Sequence, residues 1–384
     1  MPKPPILSAP AAISRTVLAR NLAETLCFAA LGGVTLGLLG MPAGWLSGSI
    51  IAVAIAALAG RPMFVPLRFM QVLMVAIGIS LGAVVTPETL HGMATYPLSI
   101  AVLIAAMAAV SVIGAAYLRL VHGWDRVTAY LAAAPGGLSQ VIAVGAELGC
   151  DLRGIAIVQT IRVVIVAIGL PAALLVFGYA GHGRRSVGGP FEFAQLDQLA
   201  ILIAASAVMA IVAYRLRFPG GLLFGAMLTS AVLHGTGYIH ILMPWWIATT
   251  AMVCFGAAVG SRFANTSVRL LLDFLGAACG SFAVTVTIAA VFAAGLIAVV
   301  KLPVPEVAMA FAPGSVDAMM LLALALHMDP VYVGAHHLTR IFYVSLTMPL
   351  VARRTARKAR ALADPQATPA SPAKRPRIRW PFQD

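Results

Sequence analysis

The chain runs as long apolar stretches separated by short polar interruptions. Twelve stretches stand out. Six lie near Thr16–Leu39, Ala43–Ala59, Pro66–Val85, Tyr96–Leu120, Val127–Leu148 and Ile155–Tyr179. Six more lie near Leu196–Leu216, Pro219–Leu233, Pro244–Phe263, Leu270–Val300, Pro305–Leu326 and Val331–Val351. Most approach the roughly 20 residues that carry a helix across a bilayer. In lipid every backbone polar group must find a partner within the protein, which selects helices over open strands. A transmembrane barrel would show shorter segments alternating in polarity. The pattern predicts an all-α polytopic membrane protein.

The two sets match. Pro42-Ala43-Gly44 with Gly48 recurs as Pro219-Gly220-Gly221 with Gly225. Gly78 and Gly82 recur as Gly256 and Gly260, and Ala134-Pro135-Gly136 recurs as Ala312-Pro313-Gly314. Asp151, Arg162 and Pro171 recur as Asp329, Arg340 and Pro349. The offset is 177 at the first match and 178 thereafter, so the chain is a tandem duplication. The expected organisation is one membrane repeat at 1–180, a linker at 181–195, a second repeat at 196–352 and a basic, disordered cytoplasmic tail at 353–384. The paired glycines are four apart, which puts two small residues on one helix face and lets neighbours approach closely.

Charge decides how the halves face. If all twelve segments cross, Arg215, Arg217, Arg262 and Arg269 fall outside, against the positive-inside rule. If the fifth segment of each half enters and leaves on one side, each half has five crossings and the halves are inverted. With the N-terminus inside, Arg61, Arg68, Arg119, Arg126, Arg153, Arg215, Arg217, Arg262, Arg269 and the tail then all lie inside, and only Arg184, Arg185 and Lys301 lie outside. The fifth segments give a physical reason to turn back. Each holds helix breakers, Pro135-Gly136-Gly137 and Pro313-Gly314, and non-helical backbone at membrane depth survives only inside protein or along a cavity. Twelve spanning helices is the alternative.

Composition supports the membrane reading. The chain is 61% hydrophobic and 10% charged, against roughly 25% charged in soluble domains. The net charge of +13 could suggest nucleic-acid binding, but beyond Val351 nine Lys or Arg face two Asp. Tail and short loops supply the positive charge, as cytoplasmic segments do. Direct nucleic-acid contact is therefore not expected; a solvated, disordered end is the favoured reading of the tail, with contact to anionic lipid the alternative. Arg15 and Arg20 precede the first apolar stretch without a small-residue cleavage site after it, so that stretch is expected to remain as the first span. Cys27, Cys150, Cys254 and Cys279 form no C-x-x-C pair, and neither a metal site nor a disulfide framework is expected.

Candidate chemistry collects around the breaks. Interrupted segments at matching positions of two halves are the best sequence pointer to a transport site. Arg162 lies about ten residues into its segment, roughly 15 Å deep at 1.5 Å per residue, and Arg340 matches it. An arginine at that depth is costly and marks a site by default. Its planar fork suits carboxylate or phosphate. The competing reading is a structural ion pair with Glu147, Asp317 or Asp329. Gln159 and its counterpart His337 lie one turn before the arginines, and Ser139 and its counterpart Asp317 follow the breaks. Helix ends freed by the breaks point N–H groups at a ligand, which favours an anion. The expected substrate-binding set is Arg162, Arg340, Pro135, Gly136, Gly137, Ser139, Gln159, Pro313, Gly314, Asp317 and His337.

The runs Pro42–Gly48, Ala134–Ser139 and Gln159-Thr160-Ile161-Arg162-Val163 resemble those of the AbrB family of bacterial membrane proteins. The resemblance implies a duplicated AbrB domain, a place among secondary transporters with inverted repeats, and a link to regulation of gene expression. Many such proteins carry the label ammonia monooxygenase. That chemistry needs a redox metal or flavin, and the sequence offers no ligand cluster for one. The leading expectation is a transporter or exporter of a small polar, anionic solute in the bacterial inner membrane, with both termini cytoplasmic, no enzymatic activity and no cofactor. A membrane sensor acting indirectly on gene expression is the second. The glycine-rich faces suit a homodimer.

Overall fold

The computed structural model describes residues 15–85, 96–179, 196–264 and 266–363. The expected linker at 181–195, with His182, Arg184 and Arg185, lies outside the described residues, as do His91 and the tail beyond Ala363. Among the described residues the regular elements are fourteen α-helices and one 3₁₀ turn at Ser261–Phe263. The first seven are α1 (Arg15–Leu38), α2 (Gly44–Leu58), α3 (Leu67–Gly82), α4 (Tyr96–His122), α5 (Arg126–Ala133), α6 (Leu138–Glu147) and α7 (Leu152–Val176). The second seven are α8 (Leu196–Arg215), α9 (Gly221–Gly235), α10 (Trp245–Gly260), α11 (Val268–Val300), α12 (Val304–Phe311), α13 (Val316–Leu326) and α14 (Pro330–Ala363). Six helices are long and apolar enough to cross a membrane: α1, α4, α7, α8, α11, and α10 with its 3₁₀ extension. Four shorter apolar helices accompany them. The last apolar stretch, expected to end near Val351, instead continues as helix to Ala363.

Both fifth segments are broken where expected. Residues 134–137 separate α5 from α6, and 312–315 separate α12 from α13. Proline withholds an N–H and its ring clashes with the preceding turn. Gly136 and Gly137 then adopt φ of +102° and +71°, where a β-carbon would be strained. The ends of each broken segment meet. Trp124, just before α5, stacks edge-on against Phe274 at 5.9 Å. A β-carbon built on Gly154, at the start of α7, would lie 3.0 Å from Phe274 and 3.1 Å from Trp124. In the second half, Glu306 at the start of α12 lies beside Asp329 at the start of α14. Each broken segment therefore returns to the end of the molecule from which it started.

The paired glycines are spent inside the chain. A β-carbon on Gly48 would strike the carbonyl of Gly32, and one on Gly44 the carbonyl of Leu36, so α1 and α2 run antiparallel in close contact. Gly221 and Gly225 bring α9 onto α8 at Ala213 and Met209. Gly78 and Gly82 set α3 against Leu223 and Met227 of α9, while Gly256 and Gly260 set α10 against Leu46 and Ile50 of α2. In both of these crossings the two helices run in the same direction. Lipid tails are as apolar as leucine, so such close approach and the dispersion it brings replace the hydrophobic drive. Since these faces are filled internally, they lend a homodimer no support. The outer surface keeps large apolar side chains such as Leu120, Val176 and Leu216 exposed, which water would penalise and lipid does not.

Candidate functional site

The site is built from helix ends. Where α5 stops at the Pro135 break, its last carbonyls have no partner within the helix. Arg162 on α7 supplies one: Nη1 donates to the Ala133 carbonyl at 3.2 Å and Nη2 to that of Ala134 at 2.8 Å. One turn earlier, Gln159 donates Nε2–H to the Leu131 carbonyl at 3.0 Å. Residues three apart share a helix face, so one face of α7 closes the end of α5. The second half repeats the device. Arg340 donates from Nη1 to Ala312 at 2.6 Å and from Nη2 to Ala310 at 3.0 Å. His337 Nε2 lies 3.2 Å from the Met309 carbonyl and must carry the proton there, because a carbonyl only accepts.

The ion pairs of the competing reading, with Glu147, Asp317 or Asp329, are not what holds the arginines. Among the described residues neither guanidinium has an acid within 4.0 Å, and the salt bridge present joins Arg61 to Glu24 at 3.3 Å. A cation at a helix C-terminus is stabilised by the partial negative charge of the carbonyls. That attraction replaces a counter-ion only in part, and the cost of burial remains. Arg162 is 4% and Arg340 2% exposed. The Nε–H groups of both arginines, the Nδ1 of His337 and the Oε1 of Gln140 are buried without a hydrogen-bond partner among the described residues.

Arg340 bridges the two breaks. Arg340 lays its stem against the first break, since a β-carbon on Gly136 would sit 3.2 Å from its Cδ. Gly137 faces Gln140 and Val344 of α14 in the same way. The structure thus gathers Arg162, Gln159, Pro135, Gly136, Gly137, Gln140, Arg340 and His337 around one centre. Gly314 is filled differently, by Met319 of its own half, and Pro313 also borders an apolar groove between α7 and α11. Asp317 stands apart. It lines a cavity of about 650 Å³ with Tyr214, Arg215 and Arg217 and feels the charge of Arg262. The side chain of Ser139 lies outside the described residues.

Two features escape sequence reading. Ser315 caps α13, its hydroxyl accepting from Ala318 N–H at 3.3 Å; a serine just before an apolar run was the available signal. A second polar island lies at the opposite end from Arg153, where Tyr96 donates to Asp329 at 3.4 Å and Ser99 meets His336 Nε2 at 2.9 Å. It depends on α4 crossing α14 and has no signal in spacing. Among the described residues no three His, Cys, Asp or Glu side chains are close enough to share a metal ion.

Long apolar helices together with two interrupted segments that bury arginines define a class, the multi-pass helical membrane proteins. Within that class the chain belongs to the AbrB family, whose description reads transition state regulatory protein AbrB and whose pattern matches residues 45–356. It is similar to "Uncharacterized protein YhjN" of Bacillus subtilis (strain 168), 26% identical over 364 residues, covering 86% of this chain and 92% of that protein. It is also similar to "Putative regulator AbrB" of Escherichia coli (strain K12), 26% identical over 317 residues, covering 82% and 90%.

Proposed function

We propose that this chain is a secondary transporter or exporter of a small anionic solute in the bacterial inner membrane, built as two inverted repeats with both termini in the cytoplasm. One observation carries the reading: two buried guanidiniums stand where two broken segments meet, with no carboxylate within ion-pair distance among the described residues. Buried charge without a counter-ion is costly, and a solute anion supplies the missing charge. Broken segments in matching halves are where transporters bind.

Helix directions support the inversion. Helix α3 runs parallel to α9, and α10 parallel to α2, as an exchange between oppositely facing halves requires. Contacts also tie basic ends together. Arg153 and Arg262 line one cavity, and Gln71 donates to Tyr214 at 3.4 Å beside Arg215. That end is read as cytoplasmic. Cysteines placed at Gly181 and at Arg262 are expected to label from outside and inside respectively; labelling from the reverse sides overturns the orientation.

Purified protein in liposomes is expected to move a small carboxylate down an imposed gradient. The Escherichia coli relative is named a regulator, which favours a second reading, a sensor that binds the same solute without flux. Ligand-induced stabilisation without any flux would select it, because a ligand that binds only the folded state raises stability by mass action.

A further inference from the structure

Resting on the anion reading above, we propose that a solute carboxylate sits at the first break alone, between the N-terminus of α6 and the side-on edge of Arg340 from the other half. The two breaks end their second helices differently. Helix α13 is closed by its own Ser315 hydroxyl, and Met319 packs over Gly314. Helix α6 starts from Gly137 at φ 71° and ψ 42° with no side-chain cap. Its first-turn N–H groups point outward with the positive end of the helix dipole, an arrangement that attracts anions.

The second observation is Arg340. Each of its terminal nitrogens gives one N–H to a carbonyl of α12. Its Nε–H remains buried and unpartnered, and the adjacent Cδ lies against Gly136. Nε–H with the spare N–H of a neighbouring Nη makes the parallel pair that grips both oxygens of a carboxylate. Gly136 lets the Arg340 stem, Cδ and Cγ, lie against the break, which brings the Nε bonded to Cδ beside it. Gln140, one turn into α6, has its Oε1 beside Gly137 without a donor. Its amide group can turn to offer N–H instead. The seat thus takes donors from one half and a cation from the other, so a relative shift of the halves changes its affinity.

The test is melting of the detergent-purified chain with acetate, pyruvate and succinate as probes and inorganic phosphate as competitor. In Gln140→Glu the new carboxylate occupies the position of Oε1 and closes the seat from within. A carboxylate probe is expected to raise the melting temperature of the parent and of Ser315→Ala equally, and to leave Gln140→Glu unmoved. Arg340→Lys keeps the charge but not the side-on edge, and should need about tenfold more probe for the same shift, the worth of roughly one lost charge-assisted hydrogen bond. Retention of the shift in Gln140→Glu with loss in Ser315→Ala overturns the placement and leaves the anion reading standing. If no probe shifts the parent while liposomes still move a neutral or cationic solute, the carboxylate seat and the anion reading fail, and transport survives.

Discussion

The two breaks share a scaffold and differ in what they leave open. At the first, Arg162 and Gln159 cover the carbonyls of Ala133, Ala134 and Leu131. At the second, Arg340 and His337 cover those of Ala312, Ala310 and Met309. The carbonyl ends are covered in the same way, with Ala134 matching Ala312 and Leu131 matching Met309, while the arginines' second acceptors, Ala133 and Ala310, fall at different positions. The N–H ends are not: Ser315 and Met319 close the second, while Gly137 leaves the first uncapped. Duplication supplies the means to interrupt a helix inside a membrane twice. Once the carbonyls are paired, the amide ends are free to take separate tasks. Breaking a helix at membrane depth is the expensive step, so its solution is the part held in common.

The largest effect expected from this comparison comes from the arginines. Arg162→Ala strands two buried carbonyls, and Arg340→Ala strands two more. At roughly 1–3 kcal/mol for each orphaned group, either variant should lose about 3 kcal/mol, read from thermal melting of the detergent-purified chain. Similar losses support a shared scaffold. A large loss in one and less than about 1 kcal/mol in the other would mean that only one arginine holds its break together.

Smaller effects should separate the amide ends. Gly137→Ala places a β-carbon in left-handed backbone at a cost of about 1–2 kcal/mol, with Gln140 Oε1 2.9 Å and Val344 Cγ1 3.2 Å from it. Ser315→Ala removes a cap worth about 1 kcal/mol. Melting of the two variants without ligand checks both values. A neutral Ser315→Ala would mean that α13 is held by packing alone, and the contrast between the breaks would rest on Gly137 and Met319.

Much of this was legible in the sequence, and the reason differs by level. The breaks were visible because proline and glycine act locally, at Pro135-Gly136-Gly137 and Pro313-Gly314. The pairing of positions was visible because an offset of 177, then 178, relates the two halves match after match. The partners of Arg162 and Arg340 were not visible. Side-chain charge directs attention to acids such as Asp317, whereas the actual acceptors are main-chain carbonyls that any residue carries and that only the break exposes. Asp317 itself was misplaced for the same reason. It matches Ser139 in register, but from the first turn of α13 it lines a cavity with Arg215 and Arg217.

The smallest effect expected is also the most pointed. Gln159 and His337 hold matching places and each faces a carbonyl 28 residues upstream, Leu131 and Met309. If His337 serves only as a donor to that carbonyl, His337→Gln reproduces what the first half already does, and stability should change by less than about 0.5 kcal/mol, below the net worth of the hydrogen bond that is kept. Flux or ligand binding should also keep its dependence on pH. If His337→Gln instead flattens that dependence while the fold stays intact, the buried Nδ1 without a partner is taking part in proton exchange. The second break would then carry a function of its own, and the division between an open first end and a closed second end would have to be redrawn around His337.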